Sequence, residues 1–382
     1  MGLVCMKTGR MNEAISYYKK AIGIDLLYED AILNLANAYT WLGELDSAFE
    51  WFEKVLVSNQ RPASVHFNYS YALLLNKEFT SGWHEYEWRF KEKSNAVARY
   101  DDITRWQGED LVDRTLLVYA EQGIGDEIRF ANCIPDIIKQ AKHVFIECDP
   151  RLQGLYQRSF PEASVIAVQR DDRDWLPSAR SIDMQIAVGS LPMYTRTCLE
   201  DFPQQGHYLI ADQERVKYWK ERLKGLAPGP RVGIAWRGGL STAERDLHYP
   251  DFKKDLATIL KVPGVQFINM MYDECSEELE WARTELGVDI HHFSDLDQFN
   301  DMEGVAALLS ALDLMISVPI AVSEMAGALA VPTWYMIFTH HVNTLGTDHL
   351  PWFPHTRCFF KDRTKEWGPV IEKLAQELSV FI

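Results

Sequence analysis

Small and aromatic residues recur along the first hundred residues with a spacing of 34 positions. Two small-residue columns and one aromatic column show this spacing: Gly9 and Gly43, Ala14 and Ala48, and Tyr18, Phe52 and Tyr86. Small residues at fixed sites let paired helices approach, and the aromatic side chains fill the space between them. The pattern predicts stacked helical hairpins over residues 1–100. The alternative is a set of three unrelated hairpins.

A different pattern begins after Trp106, where short apolar runs alternate with helical periodicity. Strands are predicted over residues 115–120, 143–148, 164–168, 184–189, 231–236, 265–270, 288–293, 314–318 and 333–337. Helices are predicted over residues 126–139, 213–224, 252–260 and 276–286, and a closing helix over residues 367–380. This alternation is typical of parallel sheets with both faces covered. The Gly/Pro-rich residues 225–231 then predict a hinge, dividing an α/β domain of residues 101–226 from a second of residues 227–382.

Composition narrows the class of protein. A chain of 382 residues is expected to form two or three domains. Its net charge of −16 argues against nucleic-acid binding, which needs a basic footprint. The six cysteines form no C-x-x-C pair, so reduced thiols are expected. With neither a secretory signal nor an apolar run of about 18 residues, we expect a cytoplasmic protein without a membrane span. A homo-oligomer stays open, since repeat surfaces often self-associate.

The first candidate for chemistry is the turn GIGDEIRF, residues 123–130, which follows a predicted strand. Gly123 and Gly125 allow a tight turn that bulkier residues would resist. Asp126 then falls near the start of a helix. It could accept a proton from a substrate hydroxyl, as a general base does. The alternative is that Asp126 only caps the helix.

The second candidate is the turn SVPIAVSEMAGAL, residues 317–329, which also joins a strand to a helix. A helix start offers unpaired backbone N–H groups to a phosphate. Here they would come from the segment Ile320, Ala321, Val322 and Ser323, with the Ser323 hydroxyl beside them. Glu324 would repel a phosphate unless it faces elsewhere, so a structural role and a catalytic role both stay open.

Two further sets of residues suit substrate binding. Trp236 and Arg237 end a predicted strand, and Arg245 follows in a polar loop, so both guanidinium groups could hold a diphosphate. Asn34 and Asn68 lie one repeat apart and should project alike, which suits binding of a peptide backbone. The alternative for these amides is contact between helices. His340 could reach a cleft from the loop after the last predicted strand.

Taken together, these segments resemble bacterial tetratricopeptide-repeat proteins with a glycosyltransferase family 9-like domain. That family is similar to the heptosyltransferases and, more remotely, to the O-linked N-acetylglucosamine transferases. The matching segments are W-x-G-x-x-L from Trp106, LLVYAEQGIGDEIRF, PRVGIAWRGG, PGVQFINMMYDE, DMEGVAALLSALDLMISV, AGALAVPTWYM and PWFP. The resemblance implies a GT-B architecture, in which two Rossmann-like lobes enclose an interlobe cleft.

The resemblance also implies roles for individual residues. Asp126 matches the general base of the heptosyltransferases, and Arg245 falls near the basic donor-phosphate position, with Arg237 beside it. The nucleoside would contact Tyr272, Phe299, Asp301 and Met302. The sequence departs from the family where an Asp and a His are expected before L-A-G-A-L. Pro319 and Glu324 occupy that segment here, which implies a different donor, a different base or a lost activity.

The leading hypothesis is therefore an inverting, metal-independent glycosyltransferase that needs no cofactor. It would move a sugar from a nucleotide-sugar donor to a hydroxyl of a protein, peptide or glycan held by the repeats. In this hypothesis Asp126 and Glu324 are the candidate catalytic residues. The alternative is a catalytically degenerate scaffold or a nucleotide-sugar-binding module with the same fold.

Overall fold

A computed structural model describes residues 1–57, 63–91, 98–169, 182–204, 206–238 and 249–381. The described part of the first ninety residues forms helical hairpins, as the 34-residue spacing predicted. Their helices are α1 (Gly2–Lys7), α2 (Met11–Ile24), α3 (Glu29–Leu42), α4 (Leu45–Leu56), α5 (Ala63–Leu75) and α6 (Phe79–Tyr86). A short 3-10 helix, Glu87–Phe90, follows α6.

The spacing reflects the turn geometry of each hairpin. Gly9 and Gly43 have φ values of 72° and 75°, in the left-handed region that glycine adopts without strain. The third turn holds Lys77 at the equivalent position, with φ of 64°. The aromatic column is buried between the helices, where Phe52 is fully inaccessible. The repeats could therefore be recognised from the sequence, because the same positions serve the same purpose in each unit.

The first α/β unit contains a four-stranded parallel sheet. Its strands are β1 (Thr115–Tyr119), β2 (His143–Cys148), β3 (Ser164–Ala167) and β4 (Met184–Ala187), in the order β3-β2-β1-β4. The helices α7 (Ile124–Phe130), α8 (Ile134–Ile138), α9 (Gln153–Ser159) and α10 (Pro192–Thr195) lie between or after the strands. The central strand β1 is buried along its whole length, which explains its continuous apolar run.

The second α/β unit contains a six-stranded parallel sheet in the order β10-β9-β8-β5-β6-β7. Its strands are β5 (Arg231–Ala235), β6 (Gln266–Asn269), β7 (Ile290–His291), β8 (Leu314–Ser317), β9 (Thr333–Phe338) and β10 (Thr356–Lys361). Its helices are α11 (Gln213–Lys224), α12 (Ala257–Leu260), α13 (Ser276–Trp281), α14 (Met302–Leu309), α15 (Ala321–Ala328) and α16 (Gly368–Phe381). π-Helical turns, Phe252–Leu256 and Ala282–Leu286, adjoin α12 and α13. No helix in the described ranges is long and apolar enough to cross a membrane.

The linker between the two sheets is partly integrated into the second unit. Helix α11 packs on α14, where Arg215 pairs with Asp301 and Arg222 pairs with Asp295. Helix α11, which packs on a helix of the second unit, thus lies before the boundary expected at residue 226, and strand β5 begins after it. The backbone from residue 206 to residue 212 crosses between the units, and the Tyr208 hydroxyl donates to the carbonyl of Ile128.

The last helical hairpin shares one continuous apolar core with both sheet units, whereas the helices before it form a second apolar cluster of their own. At the end of the repeats, the fully buried Arg89 forms an ion pair of 3.0 Å with Glu121, which lies between β1 and α7. The Trp83 indole donates to the carbonyl of Arg196, and its ring packs edge-on against Trp352. The repeats are thus fixed against the sheets by buried contacts.

Candidate active site

A cleft of about 590 Å³ lies where the starts of α7 and α15 face each other. Its walls come from the first turn, from the carboxyl ends of strands in the second sheet and from one repeat helix. The lining residues are Trp41, Gly123, Ile124, Gly125, Asp126, Arg129, Gly238, Tyr249, Tyr272, Val318, Pro319, Ile320, Ala321, Glu324, Met336, Ile337, Phe338, His341 and Arg363. Ligands of open α/β sheets bind at such carboxyl ends, beside the point where strand order reverses. In the second sheet this point lies between β5 and β8.

The two opposed turns are in direct contact. A Cβ atom added to Gly125 would lie 3.3 Å from the Cα atom of Ala321 and 3.5 Å from its backbone nitrogen. A side chain at this position would meet backbone, which cannot rotate away. Gly125 therefore matters here because it permits the close approach of α7 and α15.

Asp126 lies on the cleft wall as the third residue of α7. The N-cap position of that helix is occupied by Gly123 and not by Asp126, so the capping alternative is not what the structure contains. Its Oδ1 atom accepts a hydrogen bond of 3.1 Å from Arg129, and the side chain is 37% exposed. The carboxylate is thus oriented on one side and open to the cleft.

Arg129 also holds Glu324 in a two-pronged contact between the lobes. Its Nη2 and Nε atoms donate to the two carboxylate oxygens of Glu324 at 2.8 and 3.2 Å. The Glu324 side chain is 2% exposed, so burial raises its pKa while Arg129 opposes the shift. Arg129 thereby explains how a carboxylate can lie at a helix start where a phosphate is expected, since it balances that charge.

The start of α15 offers fewer backbone donors than the sequence suggested. The N–H of Ile320 donates to the Ser323 hydroxyl, and the N–H of Ser323 donates to the carbonyl of Ile320. The Ser323 side chain is fully buried in this capping arrangement. At the first two helical positions, Ala321 and Val322, the N–H groups have no partner within the helix. These two groups are the donors that remain for a phosphate.

The arginine positions differ from the expectation. Arg237 binds Asp273, Glu278 and the carbonyl of Glu274, and it is absent from the cleft lining. Trp236 is buried against Phe252, 2% exposed, as a core residue. Arg245 lies outside the described residues. A diphosphate clamp made from Arg237 would therefore require that side chain to leave two carboxylates.

An aromatic pair lies at one end of the cleft, beyond β6. Tyr272 and Phe299 are 38% and 51% exposed, with ring centroids 5.7 Å apart, and the guanidinium of Arg151 lies over Phe299. This open pair suits a nucleobase. Asp301 instead accepts from the N–H of Gly304 and pairs with Arg215, and Met302 is buried. Those two residues shape helix α14 rather than the cleft surface.

The candidate acceptor residues lie in two places. Asn34 and Asn68 each donate through Nδ2 to the carbonyl four residues earlier at 2.7 Å, so the two amides project alike from α3 and α5. His340 packs against Gly43 of the repeats, with its ring where a Gly43 side chain would be. Its neighbour His341 lines the cleft instead. Burial, and then the nearby Arg363, lower the pKa of His340.

Sequence reasoning missed several cleft residues: Trp41, Arg129, Tyr249, His341 and Arg363. Arg129 carried a usable signal, because it stands three positions after Asp126 in a helix, where side chains meet. Trp41 and Arg363 carried none, since each reaches the cleft from an element far away in sequence. Among the described residues, no cluster of three or more His, Cys, Asp or Glu side chains could hold a metal ion.

Comparison with known proteins agrees with this architecture. Tetratricopeptide-repeat family models match residues 1–26 and 30–61. Protein FlbA of Caulobacter vibrioides is 31% identical over 396 aligned positions, covering 100% of this chain, which spans 66% of FlbA. The structure of E. coli ADP-heptose LPS heptosyltransferase II aligns with a TM-score of 0.51 and 12% identity, over 70% of this chain and 98% of that one. The glycosyl transferase family 9 structure from Veillonella parvula aligns with a TM-score of 0.49 and 12% identity, over 71% and 93%.

Proposed function

Because tetratricopeptide repeats precede an α/β region with the heptosyltransferase fold, we propose that the protein is an inverting, metal-independent glycosyltransferase. It would move a sugar from a nucleotide-sugar donor to a hydroxyl of a protein, peptide or glycan. The observation that carries this proposal is the position of Asp126 opposite the start of α15 in one cleft.

The donor is proposed to lie along the carboxyl ends of the second sheet. Its base would stack at Tyr272 and Phe299, beyond β6, and its diphosphate would lie between β5 and β8. There the N–H groups of Ala321 and Val322, together with the positive end of the α15 dipole, would stabilise its charge. We propose Arg245 as a further phosphate contact, as the family resemblance implies.

Asp126 is proposed to be the general base. The acceptor hydroxyl oxygen attacks the anomeric carbon as the bond from that carbon to the diphosphate breaks. The proton of the hydroxyl passes to Asp126, and the bonding electron pair leaves with the diphosphate. Arg129 orients the carboxylate, because it fixes one oxygen and leaves the other beside Gly123. Glu324 serves this step indirectly by holding Arg129.

The repeats are proposed to deliver the acceptor. Asn34 and Asn68 present equivalent amides one repeat apart. Trp41, at the end of the same helix as Asn34, reaches the cleft itself. A chain bound along these helices would therefore arrive at the site where Asp126 lies.

A binding module without turnover is the second candidate, and particular contacts favour it. The Ser323 hydroxyl is consumed in its own helix cap, Arg237 is held by two carboxylates, and Glu324 stands in a segment where the family expects a His. Each contact removes a side chain from the donor site. The backbone donors of Ala321 and Val322 would still permit binding.

Calorimetry with UDP-, GDP-, CMP- and ADP-sugars, followed by sugar release and transfer assays, separates the two candidates. For the enzyme, Asp126→Asn should lower turnover by about 10²–10⁴-fold with little change in donor binding. Glu280→Gln is the matched control, because Glu280 also pairs with an arginine three positions later, on an exposed helix face. Donor binding with no turnover in the wild-type protein supports the binding module, and no heat with any donor contradicts both.

A further inference from the structure

Arg363 places a cation at the cleft, and the proposed mechanism assigns this residue no role. It follows β10 and lines the cleft between Trp41 and Phe338, with its guanidinium 4.8 and 4.6 Å from their ring centroids. Its Nε atom is buried without a hydrogen-bond partner. The adjacent carboxylate of Asp362 is turned toward Thr364, from which it accepts two hydrogen bonds.

Other buried arginines among the described residues are compensated differently. Arg89, Arg129 and Arg196 each form an ion pair with at least one carboxylate. For Arg363, no described carboxylate forms such a pair, and burial alone lowers its pKa to about 10. Burying a cation without a counter-charge costs free energy, unless a bound anion completes the site. The nearest described carboxylate in sequence, Asp362, is engaged by Thr364 and forms no ion pair with Arg363.

Strand order places Arg363 away from the proposed diphosphate position. The aromatic pair lies beyond β6, the phosphate donors follow β8, and Arg363 follows β10, two strands further along the same edge. Neighbouring strands are about 4.8 Å apart, so Arg363 lies on the order of 10 Å beyond the diphosphate. A group bound there belongs to the transferred sugar or to the acceptor.

We propose that Arg363 and Trp41 form a subsite for an anionic group, a carboxylate or phosphate, on the part of the substrate beyond the donor diphosphate. This inference rests on the proposed function for the order of substrate parts along the cleft. The guanidinium fork binds the oxyanion, and the Trp41 ring packs against the apolar face of the same moiety. The repeats thereby contribute directly to substrate choice.

Stability measurements test whether Arg363 serves ligand binding or stabilises the folded protein. In the full-length protein without ligand, Arg363→Met should leave the melting temperature unchanged or raise it, because it removes an unpaired charge from a partly buried site. Arg196→Met is the matched control, since Arg196 is buried with Asp136 and Asn132 as partners and its loss should lower the melting temperature. An equal fall for both variants would assign Arg363 to the fold and overturn the inference.

Binding is tested with inorganic phosphate as the probe, using ¹⁵N-arginine-labelled protein. The Nε–H resonance of Arg363, assigned by its loss in Arg363→Lys, should shift saturably with phosphate, while that of the exposed Arg283 should not. Arg363→Met should weaken phosphate binding about tenfold or more, as expected for loss of a charge-assisted hydrogen bond. A shift of similar size at Arg283 would mean only nonspecific ion binding and contradict the subsite.

Competition identifies the source of the anion. UDP-glucuronate displacing phosphate more effectively than UDP-glucose indicates the transferred sugar, and a peptide with phosphoserine displacing it better than its serine counterpart indicates the acceptor. Displacement by UDP, GDP, CMP or ADP alone would place the donor phosphate at Arg363 and overturn the inference. If no nucleotide or nucleotide sugar binds anywhere, the proposed function fails, while the phosphate titration still decides whether an anion subsite exists.

Discussion

Replacement of Gly125 by alanine tests whether the two turns are held together as closely as the structure has them. The added Cβ would lie 3.3 Å from the Cα atom of Ala321, tighter than almost all such contacts in proteins. The backbone of Gly125 is not in the left-handed region, so strain in φ plays no part. The effect of the substitution is therefore decided by the contact between α7 and α15.

Two opposing terms set the magnitude. Replacing glycine by alanine in a helix favours folding by about 0.5–1 kcal/mol. Forcing a methyl group against rigid backbone costs about 1–3 kcal/mol. We expect overpacking to dominate, so Gly125→Ala should lower the free energy of unfolding by about 0.5–2 kcal/mol. Gly23→Ala is the matched control, because Gly23 lies in α2 with no atom near its missing side chain.

Urea denaturation followed by circular dichroism measures both variants under identical conditions. Gly23→Ala should stabilise the protein, and Gly125→Ala should destabilise it. Since the Ala321 backbone nitrogen lies only 3.5 Å from the added methyl group, Gly125→Ala should also weaken nucleotide-sugar binding, whereas Gly23→Ala should not. Equal stabilisation by both substitutions, with unchanged binding, would refute the close approach of the two turns.

Other consequences follow from the contacts around the cleft. Arg129→Met leaves the buried carboxylate of Glu324 without its cation and should lower the free energy of unfolding, measured by urea denaturation, by about 3–5 kcal/mol. Adding Glu324→Leu should recover most of that loss, and no recovery would contradict the pairing of the two residues. Because the pKa of His340 is lowered in the folded state, the unfolded chain binds the extra proton first, so stability should fall as pH drops below about 6.5. His340→Gln should flatten this part of the pH–stability curve, and an unchanged curve would exclude the histidine as its origin. Replacing both Asn34 and Asn68 by alanine should raise the KM for the acceptor and leave donor affinity unchanged, and an unaltered acceptor KM would remove the repeats from acceptor binding.

Much of the architecture followed from local patterns. The 34-residue spacing identified the repeats, and every predicted strand segment overlaps an observed strand. Strand β10 was missed because Thr356–Lys361 carries charged residues and alternates between exposed and buried positions at the edge of the sheet. The predicted helix over residues 126–139 is divided by the 3-10 turn Ala131–Cys133.

The candidate site was only partly readable. Both turns were recognised because glycine and small residues next to a buried strand report a constraint on the local backbone. The partners of the side chains could not be predicted from the sequence. The Ser323 hydroxyl bonds to the start of its own helix, and Arg237 pairs with carboxylates that follow the next strand. A side chain's partner depends on which elements the fold brings beside it.

By itself, then, the sequence determined the repeats, the two parallel sheets and the positions of both turns, because those features depend on neighbours within a few residues or on a regular spacing. Tertiary structure alone decided that Arg129 binds Glu324 across 195 residues of chain and that Trp41 of the repeats enters the cleft. It also decided that Arg363 lies there without an ion pair to any described carboxylate. No local pattern encodes such contacts. Each contact arises where the packing of distant elements buries two charges together, or buries one charge beside a cavity.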